Sequence, residues 1–302
     1  MFANVGNFWG LLMRKLREAV AVVTGAGSGI GRALAVNLAA QGARLALADV
    51  NAAGLEETRG LLGVAEANTK TYTVDVSNAG AVEQFAGRVR QDFGRASLLI
   101  NNAGVALFGT FAEISLADMD WLMRINFWGV VHGCKFFLPL LQNEPEGHIV
   151  NISSVLGLVG TAGQVSYCSS KFAVRGFSEA LREELRATSV RVTCVHPAGV
   201  NTRIAVNARA TTATLLERAE ALKRAEKLLA IPPEDAAQTI VKGILRNQDR
   251  VLIGKDAYRI DFIQRLFPTR ASAMVSASTL KELGTEDAGS SGDASSLRTV
   301  QK

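Results

Sequence analysis

A doubly wound α/β fold, one parallel sheet of about seven strands with helices on both faces in a single domain, is what this 302-residue sequence predicts. Three observations carry the prediction. Short runs rich in Val, Ile and Leu alternate with longer stretches of helical periodicity; the first run enters a glycine-rich turn; the second ends on an acid.

The first run is Ala19-Val20-Ala21-Val22-Val23. Thr24-Gly25-Ala26-Gly27-Ser28-Gly29-Ile30-Gly31 follows, and a helix opens at Arg32. Strand, glycine turn and helix in that order suit a pyrophosphate, because glycine lets the backbone approach closely and the helix start offers free N–H groups and a positive dipole end. The second run, Arg44 to Ala48, ends at Asp49, eighteen residues beyond Gly31. A carboxylate there accepts hydrogen bonds from an adenosine ribose and repels a 2′-phosphate. Val50 and Asn51, not a cation, come next, so NAD is favoured over NADP, which stays open.

Thr71 to Val76 reads as a third strand, ending on Asp75 and Val76, and Ser97 to Ile100 as a fourth, leading into Asn101-Asn102-Ala103-Gly104. Leu116 to Leu141 reads as one long helix. Within it Asn126 has apolar residues on both sides, so its amide needs a partner or water. The run His148 to Ser153 is a buried strand whose end places Ser154 where open α/β sheets bind ligands. Thirteen residues later comes Tyr167, and four beyond it Lys171, on the same face of a helix. A phenol, with a reference pKa of about 10, works as a base near neutral pH only if a fixed positive charge stabilises its phenolate. The helix continues through Phe172, Val174, Phe177, Leu181 and Leu185, a stripe that suits either a subunit interface or this chain's own sheet. A strand at Val190 to Val195 leads to Pro197, Gly199, Val200 and Thr202; an amphipathic stretch spans Arg203 to Ala230; a last strand is Arg250 to Gly254.

These motifs resemble those of the short-chain dehydrogenase/reductase family over roughly residues 19 to 267: the T-G-x-x-x-G-x-G turn at Thr24 to Gly31, N-N-A-G at Asn101 to Gly104, and Tyr167-x-x-x-Lys171 with Ser154 upstream. The resemblance implies a Rossmann-type domain and an oxidoreductase moving a hydride between a nicotinamide cofactor and a secondary alcohol or its ketone. By the same resemblance Tyr167 exchanges the proton, Ser154 hydrogen-bonds the substrate oxygen, Lys171 lowers the Tyr167 pKa and holds the nicotinamide ribose, and Asn126 anchors a relay water. The cofactor contacts it implies are Thr24, Gly25, Gly27, Ser28, Gly29, Ile30, Gly31, Asp49, Asp75, Val76, Asn102, Ala103, Gly104, Tyr167, Lys171, Pro197, Gly199, Val200 and Thr202. One departure stands out: Ala198 follows Pro197 where the family commonly has glycine. The family pattern further implies a homodimer or homotetramer and a substrate lid at about 200–230. An apolar lid suits a bulky hydrophobic substrate. An NADP-linked reductase of long-chain aldehydes or acyl thioesters near a membrane, and a non-catalytic dinucleotide-binding protein, are the alternatives.

Composition narrows the rest. The net charge is +5, but the 33 Lys and Arg are scattered without interleaved aromatics, which argues against nucleic acid. Cys134, Cys168 and Cys194 are isolated, and His132, His148 and His196 share no ligand spacing, so neither disulfides nor a metal site is expected and a reducing, cytoplasmic setting is. In the extension 1–18, apolar residues precede Arg14, Lys15 and Arg17, the wrong order for a secretory signal. A weak interfacial helix peripheral to a membrane and a helix folded on the core both fit it. From 269 to 302 the Ser-, Ala-, Thr- and Gly-rich composition predicts a flexible tail.

Overall fold

The computed structural model describes residues 16–210 and 229–282. The extension before Leu16, the middle of the expected lid and the chain beyond Glu282 lie outside the described residues.

Nine strands and nine α-helices are described. The strands are β1 (Val20–Thr24), β2 (Arg44–Asp49), β3 (Thr69–Thr73), β4 (Leu98–Asn101), β5 (Leu107–Phe108), β6 (Gly147–Ile152), β7 (Val190–Pro197), β8 (Arg209–Ala210) and β9 (Arg250–Ile253). The helices are α1 (Gly29–Ala40), α2 (Ala52–Gly60), α3 (Ala79–Phe93), α4 (Leu116–Met123), α5 (Gly129–Gln142), α6 (Val165–Glu184), α7 (Pro233–Leu245), α8 (Lys255–Leu266) and α9 (Ala271–Glu282). Seven strands form one parallel sheet in the order β3-β2-β1-β4-β6-β7-β9. The chain works outward from β1 to β3, then crosses back to β4 and works outward the other way. The crevice between β1 and β4, at their carboxyl ends, is therefore the switch point where such sheets bind ligands.

Alternation along each strand builds two cores. On β1, Ala21 and Val23 face the layer shared with α1 and α7, while Val20 and Val22 face the layer shared with α3, α5 and α6. β4 does the same with Leu98 and Ile100 against Leu99. Large side chains fully removed from water, such as Leu34, Phe85 and Phe137, contribute roughly 1.5–3 kcal/mol each. The sheet is thus anchored on both faces, and its loops are free to form a site.

Several elements differ from the sequence reading. The third strand stops at Thr73, leaving Asp75 in a turn where it accepts a hydrogen bond from Ser77 N (2.9 Å). The expected helix from Leu116 to Leu141 is interrupted at Arg124–Trp128 by a π-turn. β5 and β8, two residues each, pair in a small parallel sheet that no periodicity could announce. The expected tail instead begins with α9: its Ala- and Ser-rich sequence is compatible with a helix, Ala271 is buried, and Ser272 Oγ accepts from Gly160 N (3.2 Å). Most of the α6 stripe serves this chain's own sheet, since Val174 and Leu185 lie in the core and Phe177 and Leu181 pack on it. Among the described residues no helix is long and apolar enough to cross a membrane.

Candidate active site

The glycine turn is held from both sides. Gly25 and Gly29 have positive φ (65° and 53°), a conformation that side chains disfavour. A Cβ on Gly31 would run into the Gly25 carbonyl oxygen, so α1 can begin this close to the strand only with glycine there. Thr24 Oγ1 accepts from Asn102 N (3.0 Å) and Ala103 N (3.1 Å), and Asn102 Nδ2 donates to the Thr24 and Gly25 carbonyls (3.0 and 3.2 Å). The N-N-A-G segment is therefore the brace of the turn. Its other asparagine, Asn101, donates to Asn151 Oδ1 (2.9 Å) in the sheet interior. Ser28 caps α1 by position, yet its side chain makes no cap bond and the first turn carries no acid. The positive helix end thus remains open to an anion.

Asp49 closes the far end. Its Oδ2 accepts from Gly27 N and its Oδ1 from Asn51 N, both at 2.9 Å, which fixes the carboxylate beside the turn. Arg32, the cation that directly follows the glycine turn, is committed to Thr58 Oγ1 (3.0 Å) and Glu57 Oε2 (2.7 Å).

At the other end the carboxyl terminus of β6 meets α6. Lys171, 4% exposed, donates from Nζ to the Ile152 carbonyl (3.0 Å); Ser153 Oγ donates to the Lys171 carbonyl (2.8 Å); and His196 Nδ1 lies 2.9 Å from the Ser154 carbonyl. A carbonyl only accepts, so Nδ1 carries the proton of a neutral His196. Burial, with Arg250 and Arg175 nearby, holds this imidazole down at about 4 despite the opposing Ser154 bond and Asp261. Ser154 Oγ accepts from Leu156 N (3.1 Å), capping the turn Val155–Gly157. The Tyr167 hydroxyl engages Ser154, but burial outweighs that bond and pushes the phenol up to about 12. Burial, not the Lys171 charge, decides the net direction. The Lys171 ammonium is turned to Ile152, 5.5 Å from the Tyr167 ring centre, and burial brings it down to about 8.

Asn126 lies in the π-turn, fully buried. Its Oδ1 accepts from Val105 N (2.8 Å), and its Nδ2 donates to Val105 O (2.9 Å) and Ser170 Oγ (3.2 Å). Both N–H donors and one acceptor site of the amide are thus committed to the protein, and Oδ1 keeps one lone pair for a further donor.

A cavity of about 540 Å³ runs from Asp49 and Asp75 past the glycine turn to Ser154, Tyr167 and Lys171. A scan for known families matches the description "short chain dehydrogenase" over residues 19–213. The chain belongs to that family. The protein SadH of Mycobacterium tuberculosis is 42% identical over 272 residues, 89% of this chain and 98% of that protein. Human estradiol 17-beta-dehydrogenase 11 is 32% identical over 279 residues, 90% of this chain and 88% of its own. A short chain dehydrogenase/reductase from Burkholderia phymatum, solved in complex with NAD, superposes with a TM-score of 0.78 at 31% identity, over 84% of this chain and 95% of that one. A metagenomic short-chain oxidoreductase in complex with NADP gives 0.65 at 30%, over 80% and 98%. This short-chain dehydrogenase is accordingly an oxidoreductase whose structural relatives hold a nicotinamide dinucleotide.

The residues present fit that group: an uncapped helix end behind a glycine turn, a fixed carboxylate at one end of the cavity and a buried lysine at the other. Of the residues singled out by sequence, Gly25, Gly27, Ser28, Gly29, Ile30, Asp49, Asp75, Val76, Asn102, Ala103 and Gly104 line the cavity. So do Ser154, Tyr167, Lys171, Pro197, Gly199, Val200 and Thr202. Thr24, Gly31 and Asn126 do not line it; they act one layer behind, on the turn, the helix start and Val105. Ala198, which replaces the usual glycine, still lines it. Sequence reasoning missed the contact of His196 with the Ser154 carbonyl, and Phe108 and Leu156 of the cavity's apolar wall, whose positions depend on loops; Ile204 and Leu229 of that wall fall within the expected lid.

Proposed function

We propose that this oxidoreductase transfers a hydride between NAD and a bulky, hydrophobic secondary alcohol or its ketone. The observation that carries the reading is the convergence of Ser154, Tyr167 and Lys171 on one cavity, with the glycine turn and Asp49 at its other end. Bound nicotinamide supplies or accepts the hydride. The chain's own residues manage the oxygen and its proton. Ser154 Oγ hydrogen-bonds the substrate oxygen as charge gathers on it, and Tyr167 gives up or takes the hydroxyl proton. With its phenol pushed to about 12, Tyr167 starts protonated at neutral pH, ready to act as the acid in ketone reduction. Alcohol oxidation needs the phenolate, so its rate rises with pH. Lys171 holds the nicotinamide ribose and Asp49 the adenosine ribose. Phe108, Leu156 and Ile204 offer an apolar wall to the substrate.

Exposed Trp128 (48%) on the π-turn and Phe172 (40%) on α6 give a homodimer or homotetramer a contact surface. The deciding experiment is a screen of secondary alcohols with NAD, read by absorbance of the reduced cofactor, repeated with Tyr167→Phe. Turnover falls by about 10²–10⁴-fold while NADH binding by fluorescence titration is unchanged. A Phe variant with near-parental turnover would overturn the assignment.

A further inference from the structure

Helix α8 wears its apolar side chains outward. Tyr258, Phe262 and Leu266, one turn apart, are 60%, 63% and 55% exposed. The side turned to the protein carries the buried Ala257 and Asp261, with Ile260 and Ile263 half-buried. Asp261 is gripped by Arg250 of β9 (2.7 Å), which ties the helix to the sheet edge, and by Arg265 within the helix (2.9 Å). At about 100° per residue, Lys255, Arg259 and Arg265 fall on the same half of the helix as the three apolar residues. Just beyond the helix, Phe267, Arg270 and Met274 are also exposed, Phe267 and Met274 at 48% and 42%. Arg259 reaches Asp256 (3.3 Å), whereas Lys255 and Arg270 have no carboxylate partner among the described residues.

We propose that this face docks the protein on an anionic lipid surface. Aromatic and aliphatic side chains interleaved with cations match a headgroup–acyl boundary, where rings sink, ammonium and guanidinium groups meet lipid phosphates, and no shape-complementary partner is required. A second copy of the chain suits the face less well. A two-fold contact would bring Lys255, Arg259, Arg265 and Arg270 of both copies into one desolvated interface, with Asp256 and the already shared Asp261 as the acids of the same helix.

The position has a use. The inner side of α8 packs on the turn Val155–Gly157 beside Ser154, and Ser272 of α9 ties down Gly160 just past it (3.2 Å). Docking through α8 would bring the Ser154 side of the cavity close to the lipid from which an apolar substrate would come. The docking itself is independent of the hydride-transfer reading and is tested without turnover.

The full chain is sedimented with phosphatidylcholine vesicles, with and without phosphatidylglycerol, alongside the variants Phe262→Ser/Leu266→Ser and Lys255→Glu/Arg270→Glu. NADH binding and thermal midpoint serve as fold controls. The parent is expected to bind the phosphatidylglycerol vesicles, more weakly at high salt and on phosphatidylcholine alone, and each double variant is expected to bind roughly tenfold less. Absence of parental binding overturns the proposal. Binding that persists in both variants overturns it too, by assigning the contact to another segment such as the N-terminal extension. So does a parent that ignores vesicles while Phe262→Ser/Leu266→Ser lowers its mass in sedimentation velocity, which gives the face to a second copy.

Discussion

Gly157→Ala tests whether the turn that carries Ser154 is seated directly on α6. A methyl at this position would lie 2.7 Å from the Lys171 carbonyl oxygen and 3.0 Å from its carbonyl carbon, and would also collide with Ser153 Oγ. Ordinary contact begins at 3.4 Å, so the turn and the helix must part by about 0.7 Å, against backbone that cannot swing aside. That movement strains the Ser153 Oγ–Lys171 carbonyl bond (2.8 Å) and the Lys171 Nζ–Ile152 carbonyl bond (3.0 Å) together. Overpacking of this kind costs about 1–3 kcal/mol, and each kcal/mol lowers the melting midpoint of a chain this large by about 2–4 °C. Because a misplacement near 1 Å can cost about 10²-fold in rate, turnover should fall between roughly ten- and a hundredfold. NADH affinity should stay within about threefold, since the glycine turn is braced separately by Asn102. Gly160→Ala is the control: its Cβ meets only Ser272 Oγ, at 3.8 Å. Calorimetry and steady-state kinetics on both variants decide the matter. If Gly157→Ala melts and turns over like the parent, or no differently from Gly160→Ala, the close seating is wrong.

Two further outcomes follow from burial and charge. Lys171 is brought from 10.5 to about 8, mainly by burial, with Cys194 opposing, so between those values the unfolded chain keeps a proton that the native one has shed. This group's contribution to stability therefore rises with pH across that window, by up to about 1.4 kcal/mol per unit. Urea midpoints measured from pH 8 to 10 should climb for the parent relative to Lys171→Met, and parallel curves would contradict the buried charge. Asp49→Ser removes the carboxylate that accepts from Gly27 N and Asn51 N. Fluorescence titration should then show the ratio of NADH to NADPH affinity lowered at least tenfold, and an unchanged ratio would show that Asp49 does not set it.

The sequence was most informative where chemistry demands a residue type at a fixed interval. Tyr167 and Lys171 sit one turn apart on α6, as their spacing implied, and the glycine turn is made with Gly25 and Gly29 at positive φ. It was silent where the outcome depends on a third element. Nothing in Thr24 announces that its hydroxyl accepts from Asn102 and Ala103 instead of facing the cavity. β5 and β8 are too short for any alternation to register, and α9 has a composition equally suited to coil until Ala271 finds a buried place.

The π-turn at Arg124–Trp128 has one more consequence. Because it accommodates a residue beyond the α-helical repeat, the side chains of α4 and α5 are out of phase by about 100° across it. Deleting a single residue there would restore an unbroken helix and yet be ruinous, swinging Asn126 away from Val105 or rotating the whole of α5 off the sheet. Insertions and deletions that loops elsewhere would absorb are thus barred at this point.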